Sequence, residues 1–172
     1  KQQYNLSSPL ASLIKQTQQK SLSAFAGVIF TLSTRTEINE LKDLSHKRIA
    51  ATKTASLGGY QMQSFALVTS GFPLPDKHKL YLTGMPHDNV VNAVLTGKAD
   101  VGFVRTGVLE SLEDSQGLDL SLIKIINSQK VSSFPFRLST RLYPEWPFAA
   151  LAHIDQELAS HFTAALLLLH DQ

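Results

Sequence analysis

Apolar positions along this chain fall into short blocks whose period changes from block to block. Phe25–Ser33 (F-A-G-V-I-F-T-L-S) is rich in β-branched and aromatic residues and predicts a strand. Arg48–Thr52, Lys79–Thr83, Asp100–Thr106, Leu122–Asn127 and Phe134–Thr140 are similar but shorter and predict further strands, with Leu10–Lys15 another. Between them the period lengthens. Ile38, Leu41 and Leu44 predict a short helix over Glu37–Leu44. A helix is expected over Tyr60–Ser70 with Gly71 just past its end, and another from the Gly84–Asn89 loop to Thr96, closed by Gly97. A further helix starts within Thr106–Leu112. The last, His153–Leu169, carries an apolar face at Ile154, Leu158, Phe162, Ala165, Leu166 and Leu169. Tyr143–Pro147 (Y-P-E-W-P) reads as an aromatic–proline turn. Lys1–Pro9 is polar and expected to be loosely held, and Gln16–Leu22 reads as a polar turn, so Leu10–Lys15 and Phe25–Ser33 form a hairpin or cross from another lobe. Strands alternating with helices through short loops predict an α/β fold with a largely parallel sheet.

The stretch around which the rest is organised is R-I-A-A-T-K-T-A-S-L-G-G-Y-Q-M-Q, Arg48–Gln63. A strand enters a helix through a loop of hydroxyl and glycine residues. Free N–H groups at the helix start and the helix dipole make a seat for an anion. The hydroxyls of Thr52, Thr54 and Ser56 can add donors, and Gly58 and Gly59 let the backbone approach a ligand. The plain alternative is an ordinary strand-to-helix turn. The spacings of a P-loop, of a dinucleotide fingerprint and of a nucleophile elbow are absent.

Ligands of open α/β sheets sit beyond the carboxyl ends of the strands. Two more strand ends carry suitable groups: Thr83–Asn89 with His87, and Arg105 with Thr106. His87 can instead be a helix cap, with Asp88 as the other capping residue, and Arg105 can instead pair with Glu110 or Asp114. Lys53 reads as solvated. Ser56 with His87 would suit a nucleophile and base, but no acid stands out to orient the histidine, which argues for binding rather than catalysis. The remaining histidines are scattered and predict no metal site.

Composition narrows the classes. The 172 residues suit one domain, and 43% apolar content suits a globular chain. A net charge of +2 without a basic stripe argues against nucleic acid. The absence of cysteine removes disulfides and thiolate chemistry. No run reaches the roughly 18 apolar residues of a membrane span. The first residues hold no apolar signal core, and the chain starts without Met, so signals and anchors are expected outside it.

Several runs carry a family resemblance. S-A-F-A-G-V-I-F, I-N-E-L-K-D-L-S-H-K-R-I-A-A-T, S-L-G-G-Y-Q-M and T-G-M-P-H-D-N-V-V-N-A-V-L-T-G-K-A-D-V-G-F-V-R-T-G-V-L-E resemble the phosphonate-binding-protein-like branch of periplasmic solute-binding proteins. The segment F-P-F-R-L-S-T-R-L-Y-P-E-W-P-F-A-A-L resembles the version fused to sensor histidine kinases of the tetrathionate-sensor sort. The resemblance covers Leu10–Leu169. It implies a type II periplasmic-binding-protein-like fold with a three-layer αβα lobe. It implies a crossover segment over 1–24, a ligand-binding lobe over 25–140 and a turn and helix over 141–172, that is, one lobe plus crossover segments. It implies no cofactor and no catalysis in this chain. The ligand residues it implies are Thr52, Thr54, Ala55, Ser56, Gly58, Gly59, Tyr60, His87, Arg105 and Thr106.

Two departures bear on ligand type. The aromatic–Gly–Gly of the family reads Phe25-Ala26-Gly27, and its Phe before the second Gly pair is Leu57. The function implied is an extracytoplasmic, periplasmic ligand-sensing domain of a membrane-bound two-component kinase, taking a small anionic solute in an interlobe cleft. The alternatives are a substrate-binding subunit of an ABC transporter for phosphonate or another oxyanion, an effector-binding domain of a transcription regulator, and an α/β hydrolase. Expected partners are the solute, a separate binding protein, and a second copy through the missing-lobe surface or as a receptor dimer. No nucleic acid is expected, and a membrane only through segments outside the chain.

Overall fold

The computed structural model describes residues 6–16 and 21–169. Their contacts divide into two compact units, one over Phe25–Leu142 and one drawn from both ends of the chain, up to Ala24 and from Tyr143. The strands longer than two residues are β1 (Leu6–Ser12), β2 (Gly27–Leu32), β3 (Ile49–Ala51), β4 (Leu80–Leu82), β5 (Val101–Arg105), β6 (Ile123–Ile126) and β7 (Pro147–Leu151). The helices are α1 (Met62–Thr69), α2 (Asp88–Leu95), α3 (Val108–Gln116) and α4 (Gln156–Leu167), joined by several short 3-10 turns.

The central unit is a five-stranded sheet in the order β4-β3-β5-β2-β6. β3 pairs in parallel with β4 and β5, while β2 runs antiparallel to both β5 and β6. Four strands therefore share one direction, and β2 runs against them. Side chains alternate along the pleat. Val28, Phe30, Ala50 and Val104 face one side and pack with Val90, Val91 and Val94 of α2 and Leu109 and Leu112 of α3. Ile29, Ile49, Ala51, Val101 and Phe103 face the other and pack with Ile38, Leu41, Leu44 and Leu67. The three layers are thus helices, sheet and helices, the αβα lobe that the resemblance implies. Gly102 has no side chain because the Phe30 ring occupies the place of its Cβ.

Several elements differ from the sequence-based expectation. Phe134–Thr140 is not a strand: its one pairing is a bridge from Leu138 to Gln129, and Pro135 cannot donate to a ladder. Its hydroxyls are used instead, with Ser139 Oγ accepting from Ile29 N–H at 2.8 Å and Thr140 Oγ1 from Gly27 N–H at 2.9 Å. Glu37–Leu44 holds only a 3-10 turn, Leu41–Leu44. The helix expected from Tyr60 begins earlier, as a π turn over Leu57–Gln61 that leads into α1. The third helix starts at Val108, after Gly107 takes a left-handed φ of 83°. α4 starts at Gln156, where Asp155 caps two N–H groups at 2.7 and 3.1 Å.

In the terminal unit, β1 pairs antiparallel with β7, not with Phe25–Ser33. The ladder is irregular on both sides of Pro9. Leu6–Pro9 is therefore strand where a loose end was expected, Tyr143–Pro144 is a two-residue strand within the expected turn, and Pro147–Leu151 is a strand that the sequence reading did not place. The expectations for Lys1–Asn5 and for most of the Gln16–Leu22 turn lie outside the described residues. α4 packs on β1 with no residue of its own buried. Among the described residues, no helix is long and apolar enough to cross a membrane.

Candidate functional site

Because β3, β4 and β5 run in parallel, their carboxyl ends lie on one edge of the sheet. Register keeps them level: Ala51 stands beside Leu82 and Ala50 beside Gly102. The pairing continues past the strands, with Thr83 N–H donating to Ala51 O at 2.9 Å and Gly84 N–H to Thr52 O at 3.0 Å. Those bonds bring the loop that carries His87 against the loop that carries Thr52.

The helix start sits in the same place. Ser56 is its cap, in extended conformation, and its Oγ accepts from Gly59 N–H at 3.2 Å. Gln61 N–H closes on Ser56 O at 3.0 Å, which makes the turn a π turn, a form frequent at functional sites. Gly59 is the point of convergence. A Cβ there would lie 2.8 Å from His87 Cε1, 2.8 Å from Ser56 Oγ and 2.9 Å from Thr52 Oγ1. Glycine is what lets three strand-end side chains close on the helix start.

Thr52 is 1% exposed, and its Oγ1 has no hydrogen-bond partner among the described residues; nor has the buried His87 Nδ1. An unmade hydrogen bond at a buried polar atom is costly, so Thr52 Oγ1 and the His87 ring, both lying against Gly59, mark a place that suits a polar ligand. His87 occupies the cap position of α2 but makes no side-chain capping bond, so its ring is not spent on the helix. Burial holds the imidazole below its ordinary pKa; Arg105 pushes the same way and Asp88 opposes. Both burial and Arg105 thus favour the neutral ring.

Arg105 stands beside Gly58. A Cβ on Gly58 would lie 3.2 Å from Arg105 Cβ and 3.1 Å from the Phe25 ring. The guanidinium carbon lies 4.2 Å from the centre of that ring, a cation–π arrangement that aims the charge. Phe25 is a neighbour that the strand-end reasoning did not supply, because nothing in sequence spacing links residues 25 and 105. Glu110, one of the two partners considered for Arg105, accepts at Oε1 from Arg137 N–H at 2.9 Å and from Arg137 Nη1 at 3.4 Å.

The other expected residues are placed differently. Thr106 is buried, its Oγ1 accepts from Ala26 N–H at 3.1 Å, and its N–H donates to Ala26 O at 3.0 Å. Thr54 and Ala55 are exposed in the loop, and the Tyr60 ring lies 6.3 Å from the Phe103 ring against the core. Among the described residues, no three His, Cys, Asp or Glu stand together as a metal site.

Comparison with known proteins gives this arrangement a family. The family model described as ABC transporter, phosphonate, periplasmic substrate-binding protein matches residues 2–172. The tetrathionate sensor histidine kinase TtrS of Salmonella typhimurium is 32% identical over 158 residues, which is 91% of this chain and 26% of that protein. XAC2383 from Xanthomonas citri, solved bound to ATP, superposes with a TM-score of 0.71 at 18% identity, over 93% of this chain and 56% of that one. A histidine kinase sensor domain with similarity to periplasmic binding proteins superposes at 0.50 and 18% identity, over 86% and 54%. The chain thus spans about a quarter of the kinase and about half of each solved domain. A match running from residue 2 to residue 172, on a fold with its polar groups gathered at the strand ends, places this chain in the periplasmic phosphonate-type substrate-binding family, whose members bind solutes rather than transform them.

Proposed function

We propose that this chain is the extracytoplasmic ligand-sensing domain of a membrane-bound, two-component sensor histidine kinase, and that it takes a small anionic solute at the carboxyl edge of its sheet. The observation that carries this reading is the convergence of Thr52, Ser56 and His87 on Gly59, with Arg105 alongside Gly58. Hydroxyl donors, a helix start and a guanidinium suit an oxyanion. The similarity to the tetrathionate sensor over 91% of this chain supports the sensing role. Kinase chemistry would then lie elsewhere in the full protein. Thr54, Ala55, Tyr60 and Thr106 stay in the proposed ligand set as loop and backbone positions flanking these groups.

A second reading has its own support. The family description is that of an ABC transporter component, so a substrate-binding subunit for phosphonate or another oxyanion remains the alternative. A membrane span encoded shortly after Gln172 would favour the sensor; a chain ending there behind an export signal would favour the transporter.

The test is a thermal-shift screen against phosphate, methylphosphonate, sulfate, thiosulfate, tetrathionate and dicarboxylates. A ligand at 100 times its Kd adds about 2.7 kcal/mol of stability. One anion is expected to raise the melting temperature, and Arg105→Ala or His87→Ala to remove the rise. If no anion acts, direct sensing by this chain is refuted, and recognition of a separate binding protein takes its place.

A further inference from the structure

Gln63 is a polar side chain on the first turn of α1, and it is 0% exposed. Its Nε2 donates to Gly58 O at 2.8 Å and to Val104 O at 2.9 Å, with Val28 O a third, longer acceptor at 3.3 Å. One amide group thus joins three separate pieces of chain: the π turn, the end of β5 just before Arg105, and the start of β2. Room for it is made in the backbone. A Cβ on Gly27 would lie 2.6 Å from both Cδ and Nε2 of Gln63. Gly27 itself stands beside Arg105 in the β2–β5 ladder.

We propose that Gln63 is the positioning residue of the anion loop, setting the distance between the helix-start N–H groups and Arg105; this rests on the reading of the site given above. The chemistry favours an amide at this point. Three carbonyl oxygens converge on one nitrogen, and only a donor can sit among them. Leucine would fill a similar volume but leave the Gly58 and Val104 oxygens without that donor. Glutamate would add an acceptor, and a charge, to a ring of acceptors. Since a Cβ on Gly58 would meet both Arg105 and Phe25, a shift of the π turn changes the seat directly.

The test uses the isotope-labelled 172-residue chain, with Gln63→Leu and, as a control of comparable core cost, Ile29→Val. In the unsubstituted chain, the Gln63 side-chain amide protons are expected to exchange as slowly as core backbone amides. In Gln63→Leu, amide exchange over Leu57–Gln61 is expected to rise about tenfold while Phe103 keeps its protection, and the Kd for methylphosphonate or tetrathionate to rise about tenfold. Ile29→Val should leave the Leu57–Gln61 exchange and the Kd as they were. Fast exchange of the Gln63 amide protons, or loop exchange in Gln63→Leu equal to that of the control, overturns the proposal. If the unsubstituted chain binds neither probe, the anion reading of the site falls, and the exchange comparison still decides the role of Gln63.

Discussion

Asp100 gathers two arginines at the edge of the sheet opposite the candidate site. Its carboxylate accepts from Arg48 Nη2 at 2.9 Å, Arg48 Nε at 3.2 Å, Arg48 N–H at 2.9 Å and Arg35 Nη1 at 2.8 Å. Burial alone would raise its pKa; hydrogen bonds from the Arg48 side chain, from Arg35 and from the Arg48 backbone outweigh that and hold it well below the usual carboxylate range. A depressed acid favours the fold above its unfolded pKa, and that stability is lost as pH falls through the folded value. Asp100→Asn is expected to cost about 2 kcal/mol in urea unfolding at pH 7 and to flatten the loss of stability below about pH 4. His87 has the same sign by a different route. Its neutral form is favoured by burial, so stability is full above its unfolded pKa of about 6.5 and falls as pH drops below it. His87→Gln should remove that slope in melts recorded between about pH 5 and pH 7. At this scale much of the candidate site was readable. Hydroxyls, glycines, a histidine and an arginine at strand ends have a reason in chemistry. The role of Gln63 and the contact of Phe25 with Arg105 were not readable, since both depend on which loops meet across the sheet.

At the scale of elements, the π turn is the part most sensitive to change. Gly59→Ala places a methyl group against Ser56 Oγ, Thr52 Oγ1 and His87 Cε1, all within 2.9 Å. Overpacking of this kind costs about 1–3 kcal/mol. The expected result is a folded protein with lowered melting temperature and no thermal response to anions; an unchanged response would separate Gly59 from the seat. The strands with continuous apolar runs, such as Gly27–Leu32 and Val101–Arg105, followed from composition because both of their faces are buried. Pro147–Leu151 did not. Pro144 and Pro147 bracket Glu145-Trp146, and the partner strand, Leu6–Ser12, lies at the far end of the chain, so no local signal announces the pairing. Phe134–Thr140 had strand composition without a ladder to join. Pro135 interrupts it, and its polar side chains took over the bonds that a ladder would have made.

At the scale of the molecule, the two units differ in how well they cover their apolar surface. The central unit buries both faces of its sheet. In the terminal unit, Trp146 is 55% exposed and Leu167 69%, and an apolar cavity of about 520 Å³ is lined by Leu13, Ile14, Trp146, Phe148 and Leu166. Exposed apolar surface of this extent favours association. The chain on its own is expected to sediment as oligomers at micromolar concentration, with Phe148→Glu and Leu167→Glu together shifting it to monomer; a monomer without those changes would refute the expectation. The family was legible because its motifs sit on the strand-end loops, where chemistry constrains residue choice. Ligand identity was not, because donors and a guanidinium suit many oxyanions alike.

The account stands on the claim that an anion is held between the Gly58–Gly59 turn and Arg105. Titration of the isotope-labelled chain with methylphosphonate and with tetrathionate, followed by amide resonances, tests it most directly. The account predicts that one of the two shifts the resonances of Ser56, Gly58, Gly59 and Thr106 together, saturably, and that Arg105→Ala abolishes the shifts. Saturable shifts confined to the surface of α4, or shifts at the turn that survive Arg105→Ala, would contradict it.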